Sequence, residues 1–202
     1  MFRTSSQKKG ERERVRVALQ RAALRLSALH GFASIGLREV AREAGIAPTS
    51  FYRHFADMQE LGATLSAELV GEAIARVCQV LGKSQGPWGA VLWDAMNVAT
   101  GCDPELIRFL AAERVGAFAA LRASLHGQLA SLAKALSAVS GANVAAADAA
   151  VTLSLDASAR ALDGTQGQRA ALQESCVWAV DTLLSLAAAP AMPKRKSGKV
   201  AS

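Results

Sequence analysis

Aromatic residues make up 5% of the 202 positions, and there are only five prolines. With alanine and leucine abundant instead, an all-α protein is expected. Cysteine is scarce too: Cys78, Cys102 and Cys176 are odd in number, far apart and without metal-ligand or redox spacing. They read as buried, reduced thiols. The longest apolar stretch, Leu183 to Met192, holds Ser185 and Pro190 and is too short to span a bilayer. Met1 to Gly10 is polar and basic with no apolar run behind it, so no export signal is expected. A cytoplasmic protein with no membrane partner follows.

Catalytic machinery is missing as well. There is no Gly-rich phosphate loop, nucleophile elbow or metal constellation, and His30, His54 and His126 have no paired carboxylate beyond ordinary surface ones. No enzyme, catalytic residue, metal or cofactor is expected, and His126 reads as a solvated side chain.

What is present is a core and an uneven charge. The chain is 51% hydrophobic, enough for one sizeable domain or two small ones. Its net charge of +6 is concentrated at one end. Residues 1 to 55 carry eleven Lys/Arg against Glu11, Glu13, Glu39 and Glu43, whereas residues 56 to 189 carry eight against thirteen acids. A basic head on an acidic body attracts and orients a polyanion.

The stretch Leu37 to Phe55, LREVAREAGIAPTSFYRHF, falls within that head. At helical spacing Leu37, Val40, Ala41 and Ala44 share one face and Arg38 and Arg42 the other. Gly45 stands where a left-handed residue stops a helix, and Pro48 where a first helical position favours proline. The pattern is helix, tight turn, helix. In a second helix over 47 to 55, Pro48, Phe51 and Phe55 share a face expected to be buried. The opposite face carries Thr49, Ser50 and Arg53, with Tyr52 and His54 at its flanks. Such a face suits a major groove, with hydroxyls and an arginine reaching base edges while Tyr52, His54 and Arg38 hold phosphates. Plain αα packing is the alternative for the same geometry.

At these residues the chain resembles the TetR family of bacterial one-component repressors. The shared run is Val40-Ala41, Ala44-Gly45-Ile46 and Tyr52-Arg53-His54-Phe55. More narrowly, Leu37 to Gly62, and loosely residues 103 to 118 and Ala161-Leu162-Asp163, look like the FabR and DesT branch, which represses genes for unsaturated fatty acid synthesis. The resemblance implies a DNA-binding domain over 13–73 with its motif at 36–55, a helical ligand-binding and dimerisation domain over 74–190, and a homodimer on a near-palindromic operator. It also implies long-chain acyl-CoA as the effector.

Around the motif, Met1 to Gly10 reads as a disordered arm. From Glu11, residues Val15, Ala18, Leu19, Ala22, Leu26 and Leu29 form the apolar stripe of a first helix ended by Gly31. Arg12, Arg14 and Arg16 lie near its start, close to where a DNA backbone would pass. Gly36 stands where relatives have a Ser or Thr cap, and Ser34 is a possible substitute. Asp57-x-x-Glu60 is a capping pattern, so a helix follows the motif at once. Leu61, Leu65, Leu69, Ile74, Val77 and Leu81 carry it to about Gly82, and the resemblance makes it the lever between ligand and DNA.

Further helices are expected from Gly86-Pro87 to about Thr100, after Asp103-Pro104, and over 115–139, 143–162 and 166–188. Ala149, Leu153, Ala157 and Ala161, with Val177, Val180, Leu184 and Leu186, suit either a two-copy interface or an internal core. Trp93, Met96, Phe109, Leu110 and Phe118 are candidate walls for an acyl chain, alongside Trp88 as plain core. Arg114 is either the ion-pair partner of Glu113 or the group that meets the thioester or phosphate end of a ligand. Residues 191–202 read as a basic flexible tail. A TetR-type regulator of another small-molecule response, or a helical acyl-CoA-binding protein, remains an alternative.

Overall fold

The computed structural model describes residues 5–99 and 103–188, and Cys102 and the expected tail at 191–202 lie outside them. Among the described residues every regular element is helical. In chain order they are α1 (Ser5–His30), α2 (Leu37–Glu43), α3 (Pro48–Phe51), α4 (58–83), α5 (Trp88–Ala99), α6 (Pro104–Glu113), α7 (Ala119–Ser140), α8 (Val144–Asp163) and α9 (Gln166–Ala187). None is long and apolar enough to cross a membrane.

The capping signals act locally and as expected. Asp57 accepts from the Glu60 N–H at 2.8 Å while the Glu60 carboxylate accepts from the Ala56 N–H at 2.5 Å, so α4 starts right after the motif. Asp103 caps α6 with Pro104 in its first turn. Thr165 and Gln168 form a reciprocal capping box that opens α9.

α1 departs from expectation at both ends. It already begins at Ser5, where a disordered arm was expected. Its buried face is also wider than one stripe, because α1 packs on α2 on one side and on α6 on the other. Ala23 and Leu24 are therefore fully buried, while Leu29, beyond both partners, is 75% exposed.

The head closes around Phe32, Phe51, Phe55, Val40 and Leu61, all at 2% exposure or less. Phe32 is pressed against α4 at Gly62, where a β-carbon would come within 2.8 Å of its ring. The body follows without a linker. α4 packs on α5 and α7, α8 on α7 and α9, and α9 on α5. Ala157, Ala161, Val180 and Leu184 are buried in this single chain, so that half of the expected two-copy set is internal core. The outward residues of α8 and α9 include Leu153 and Leu186 from the expected set and also Trp178.

Candidate nucleic-acid interface

The turn between α2 and α3 is built from backbone geometry. Gly45 adopts φ 71°, a left-handed value that costs glycine little. This lets the Ile46 N–H reach back to the Ala41 carbonyl at 2.9 Å, closing the helix end with a bond across six residues. α2 itself starts at Gly36 with no side-chain cap, so Ser34, held in the short 3-10 turn Phe32–Ser34, does not substitute for one.

α3 is shorter than the helix expected over 47–55. Pro48–Phe51 make one α-helical turn with Ala47 as N-cap. Tighter turns follow, in which Arg53 donates to the Ser50 carbonyl at 3.2 Å and His54 to that of Phe51 at 2.8 Å. The chain has to reverse here to reach the Asp57 cap, and a longer helix would overshoot it. Phe51 and Phe55 are buried as expected, with ring centroids 5.8 Å apart. Pro48 is exposed instead. At the first helical position it borders a cleft with Arg38 and Arg42 of α2, and the half-buried Ile46 packs against the core instead.

The outer face is polar and accessible. Thr49, Arg53 and Arg38 are exposed, Ser50 and His54 are half-buried, and Tyr52 is 65% exposed. Two open clefts flank the turn. One, of about 810 Å³, is lined by Arg12, Ser50, Arg53 and His54, and the other, of about 680 Å³, by Arg38, Arg42 and Pro48.

The N-terminal arginines hold the head together from within. Arg12 donates to the Arg53 carbonyl at 3.1 Å, tying α1 to the end of the reading segment. The Arg16 guanidinium lies 5.3 Å over the Phe55 ring and pairs with Glu68 of α4. Burial, and then the charges of Arg12, Arg16 and Arg53, hold His54 below the ordinary histidine pKa. Its Nδ1 is buried without a hydrogen-bond partner in the protein.

The candidate ligand residues are divided between two places. Trp93 and Met96 on α5 and Phe109 and Leu110 on α6 are 7% exposed or less. Phe118 instead sits at the base of the head, edge-on to Phe32 at 5.4 Å. Arg114 does not pair with Glu113. It reaches Asp156 of α8 at 2.6 Å, while its carbonyl accepts from His126 Nε2 at 2.7 Å. Glu113, 4% exposed, takes the Phe32 N–H at 2.7 Å. Neighbouring residues at the end of α6 thus fasten the head on one side and α8 on the other. Sequence spacing held no sign of this, because both partners are distant in the chain.

The geometry defines a class first: a helix-turn-helix head carried on a helical body. Residues 19–63, the head, match the model of the bacterial regulatory proteins of the tetR family.

It is similar in structure to the fatty acid degradation regulator FadR from Bacillus halodurans, with TM-score 0.64 and 16% identity over 84% of this chain and 94% of that one. It is similar also to the multidrug binding protein EbrR complexed with imidazole, with TM-score 0.63 and 21% identity over 88% and 97%. A third similar structure is FadR from Thermus thermophilus, a TetR family transcriptional repressor in complex with lauroyl-CoA, with TM-score 0.53 and 18% identity over 91% and 100%. At these identities the likeness is one of fold.

Proposed function

We propose that this protein is a TetR-family repressor that binds a near-palindromic operator as a homodimer and controls fatty acid genes in response to long-chain acyl-CoA. The observation that carries the DNA-reading assignment is the outer face of the motif. Thr49, Tyr52, Arg53 and Arg38 stand exposed on a head whose aromatic anchors, Phe51 and Phe55, are 1% exposed or less. In this reading Thr49, Ser50 and Arg53 face bases, Pro48 starts the helix at the groove edge, and Tyr52, His54 and Arg38 hold phosphates. A two-fold dimer sets the two reading segments about 34 Å or more apart, which fixes the half-site spacing. We place the head at 13–73 and the body at 74–190, with the boundary inside α4.

Acyl-CoA as effector is supported by the two FadR neighbours, one described with lauroyl-CoA. It is supported also by the apolar cluster of Trp93, Met96, Phe109 and Leu110. An acyl chain entering there has to disturb the packing of α5 and α6 on α8, and α5 packs directly on α4. Arg114, half-buried and paired with Asp156 but with its Nε lacking a hydrogen-bond partner, is the cation we assign to the polar end. The likeness to a multidrug binding protein favours a second reading, in which the effector is a smaller aromatic compound held by the same cluster.

Operator binding by fluorescence anisotropy tests the proposal, with DNA from upstream of the protein's own gene and of fatty acid desaturation genes. Oleoyl-CoA and palmitoyl-CoA are expected to shift the affinity in opposite directions. DNA binding indifferent to both keeps the repressor and discards the acyl effector, and no DNA binding at any salt concentration discards the repressor.

A further inference from the structure

α4 runs from the head into the body, and it is not a uniform α-helix. Between Met58–Leu65 and Gly71–Lys83 lies a π-helical turn, Ser66–Val70. Such a turn takes in an extra residue at a cost in hydrogen-bond geometry, and it is found frequently at functional positions. Among the large apolar side chains buried along α4, Leu61, Leu65, Val70, Ile74, Val77 and Leu81, the one five-residue step falls at this turn, where Ser66 is also fully buried. Uninterrupted α spacing would turn Leu69 inward, as the sequence alone suggests. Here Leu69 is half-buried and Val70 takes the core position.

The extra residue also aims Glu68 at α1. One carboxylate oxygen accepts from Arg16, and the other accepts from Gln20 Nε2 at 2.7 Å. Gln20 is 1% exposed, so its amide is committed to this contact. Arg16 in turn lies over Phe55, the last residue of the reading segment. At the start of the same turn, the Ser66 hydroxyl meets that of Ser124 on α7 at 2.8 Å. One turn of α4 therefore holds the body through Ser66 and the head through Glu68.

We propose that the π-turn is the joint that sets the tilt of the DNA-reading head, with Glu68 as its positioning residue. Closing the turn to α geometry rotates Glu68 away from Arg16 and Gln20 and releases α1, and with it Phe55, to pivot. A change at α7 or further down α4 then reaches the reading segment through a rearrangement of one residue of register. The proposal rests on the head being the DNA-reading part, but its first readout does not require DNA.

The test is amide hydrogen exchange on the full-length protein and on Glu68→Gln, a half-exposed substitution that keeps the shape and removes the charge. Exchange over 37–55 is expected to rise roughly tenfold, with that of α8 and α9 unchanged. The thermal midpoint should fall by less than about 4 °C. Arg16→Gln added to Glu68→Gln should raise head exchange by less than the sum of the two single effects, since both break the Arg16–Glu68 contact while only Arg16→Gln also removes the contact with Phe55. Deleting Ala67, an exposed residue of the turn, restores α spacing and should reproduce the Glu68→Gln exchange pattern. Wild-type head exchange in Glu68→Gln, or effects of Arg16→Gln and Glu68→Gln that simply add, overturns the joint. Operator affinity is then expected to be roughly tenfold weaker in Glu68→Gln. If the wild type binds no DNA, the functional proposal fails, while the exchange result still decides the joint.

Discussion

The head and the last two helices turn opposite kinds of surface to solvent. In the head the large aromatic side chains Phe32, Phe51 and Phe55 are buried, and the motif's exposed residues include Arg38, Thr49, Tyr52 and Arg53. On α8 and α9 the exposed set includes Leu153 at 39%, Trp178 at 70% and Leu186 at 83%. A basic polar face binds a polyanion mainly through charge, whereas an exposed tryptophan among alanines and leucines is the composition of a contact with another protein surface. In the proposed function the two faces meet different partners, DNA for one and a second copy for the other, and different substitutions should disable each alone.

The largest expected effect is in the head. Phe51→Ala empties a site that is fully buried, and core truncations of phenylalanine cost about 3–5 kcal/mol. Thermal unfolding should show the head melting first, with DNA binding lost while helical signal from the body persists. A single transition moved as a whole would instead make head and body one cooperative unit. Next in size is Trp178→Glu, which puts a charge on the apolar face of α9. If this face is the dimer contact, the dimer dissociation constant measured by sedimentation should rise by roughly 30-fold or more, as for loss of an interface hot spot. An unchanged association state would move the interface elsewhere.

How legible these faces are from sequence differs for a physical reason. The turn at Gly45, the caps at Asp57 and Asp103 and the helix order are set by neighbours within a few residues, and the structure has them where the spacing puts them. Whatever depends on a distant partner was not legible. Ala157 and Ala161 face this chain's own core rather than a second copy. Arg114 finds Asp156, and Glu113 finds the backbone of Phe32. The π-turn left one trace, the five-residue gap from Leu69 to Ile74 in the apolar stripe, and that gap marks an inserted residue only once Val70 is seen in the core.

Within the reading face, Arg53→Ala should weaken specific operator binding by about 1–3 kcal/mol if the guanidinium makes a good base contact. Its carbonyl, which accepts from Arg12, is untouched by the substitution, so the segment should keep its place. The comparison sharpens on DNA of unrelated sequence. There Arg53→Ala should lose much less, whereas Arg38→Ala, a phosphate contact in this reading, should weaken both targets alike and reduce the salt dependence. Equal losses for the two variants on both DNAs would remove Arg53 from base reading.

The smallest effect expected is one of pH, and it has opposite signs for folding and for DNA binding. Burial and the charges of Arg12, Arg16 and Arg53 lower the pKa of His54, so the unfolded chain takes up its proton first. The stability held by neutral His54 is therefore complete above the ordinary histidine pKa of about 6.5 and is lost as pH falls through that value toward the folded pKa. A DNA phosphate beside the ring supplies the missing negative charge and raises the pKa. Binding then takes up a fraction of a proton, and operator affinity rises as pH falls from 7.5 toward 6, by less than about tenfold per pH unit, the limit for one proton. Anisotropy titrations at fixed salt should show this slope in the wild type and not in His54→Gln. An identical slope in both would place the titrating group elsewhere and leave His54 as a packing residue beneath the reading face.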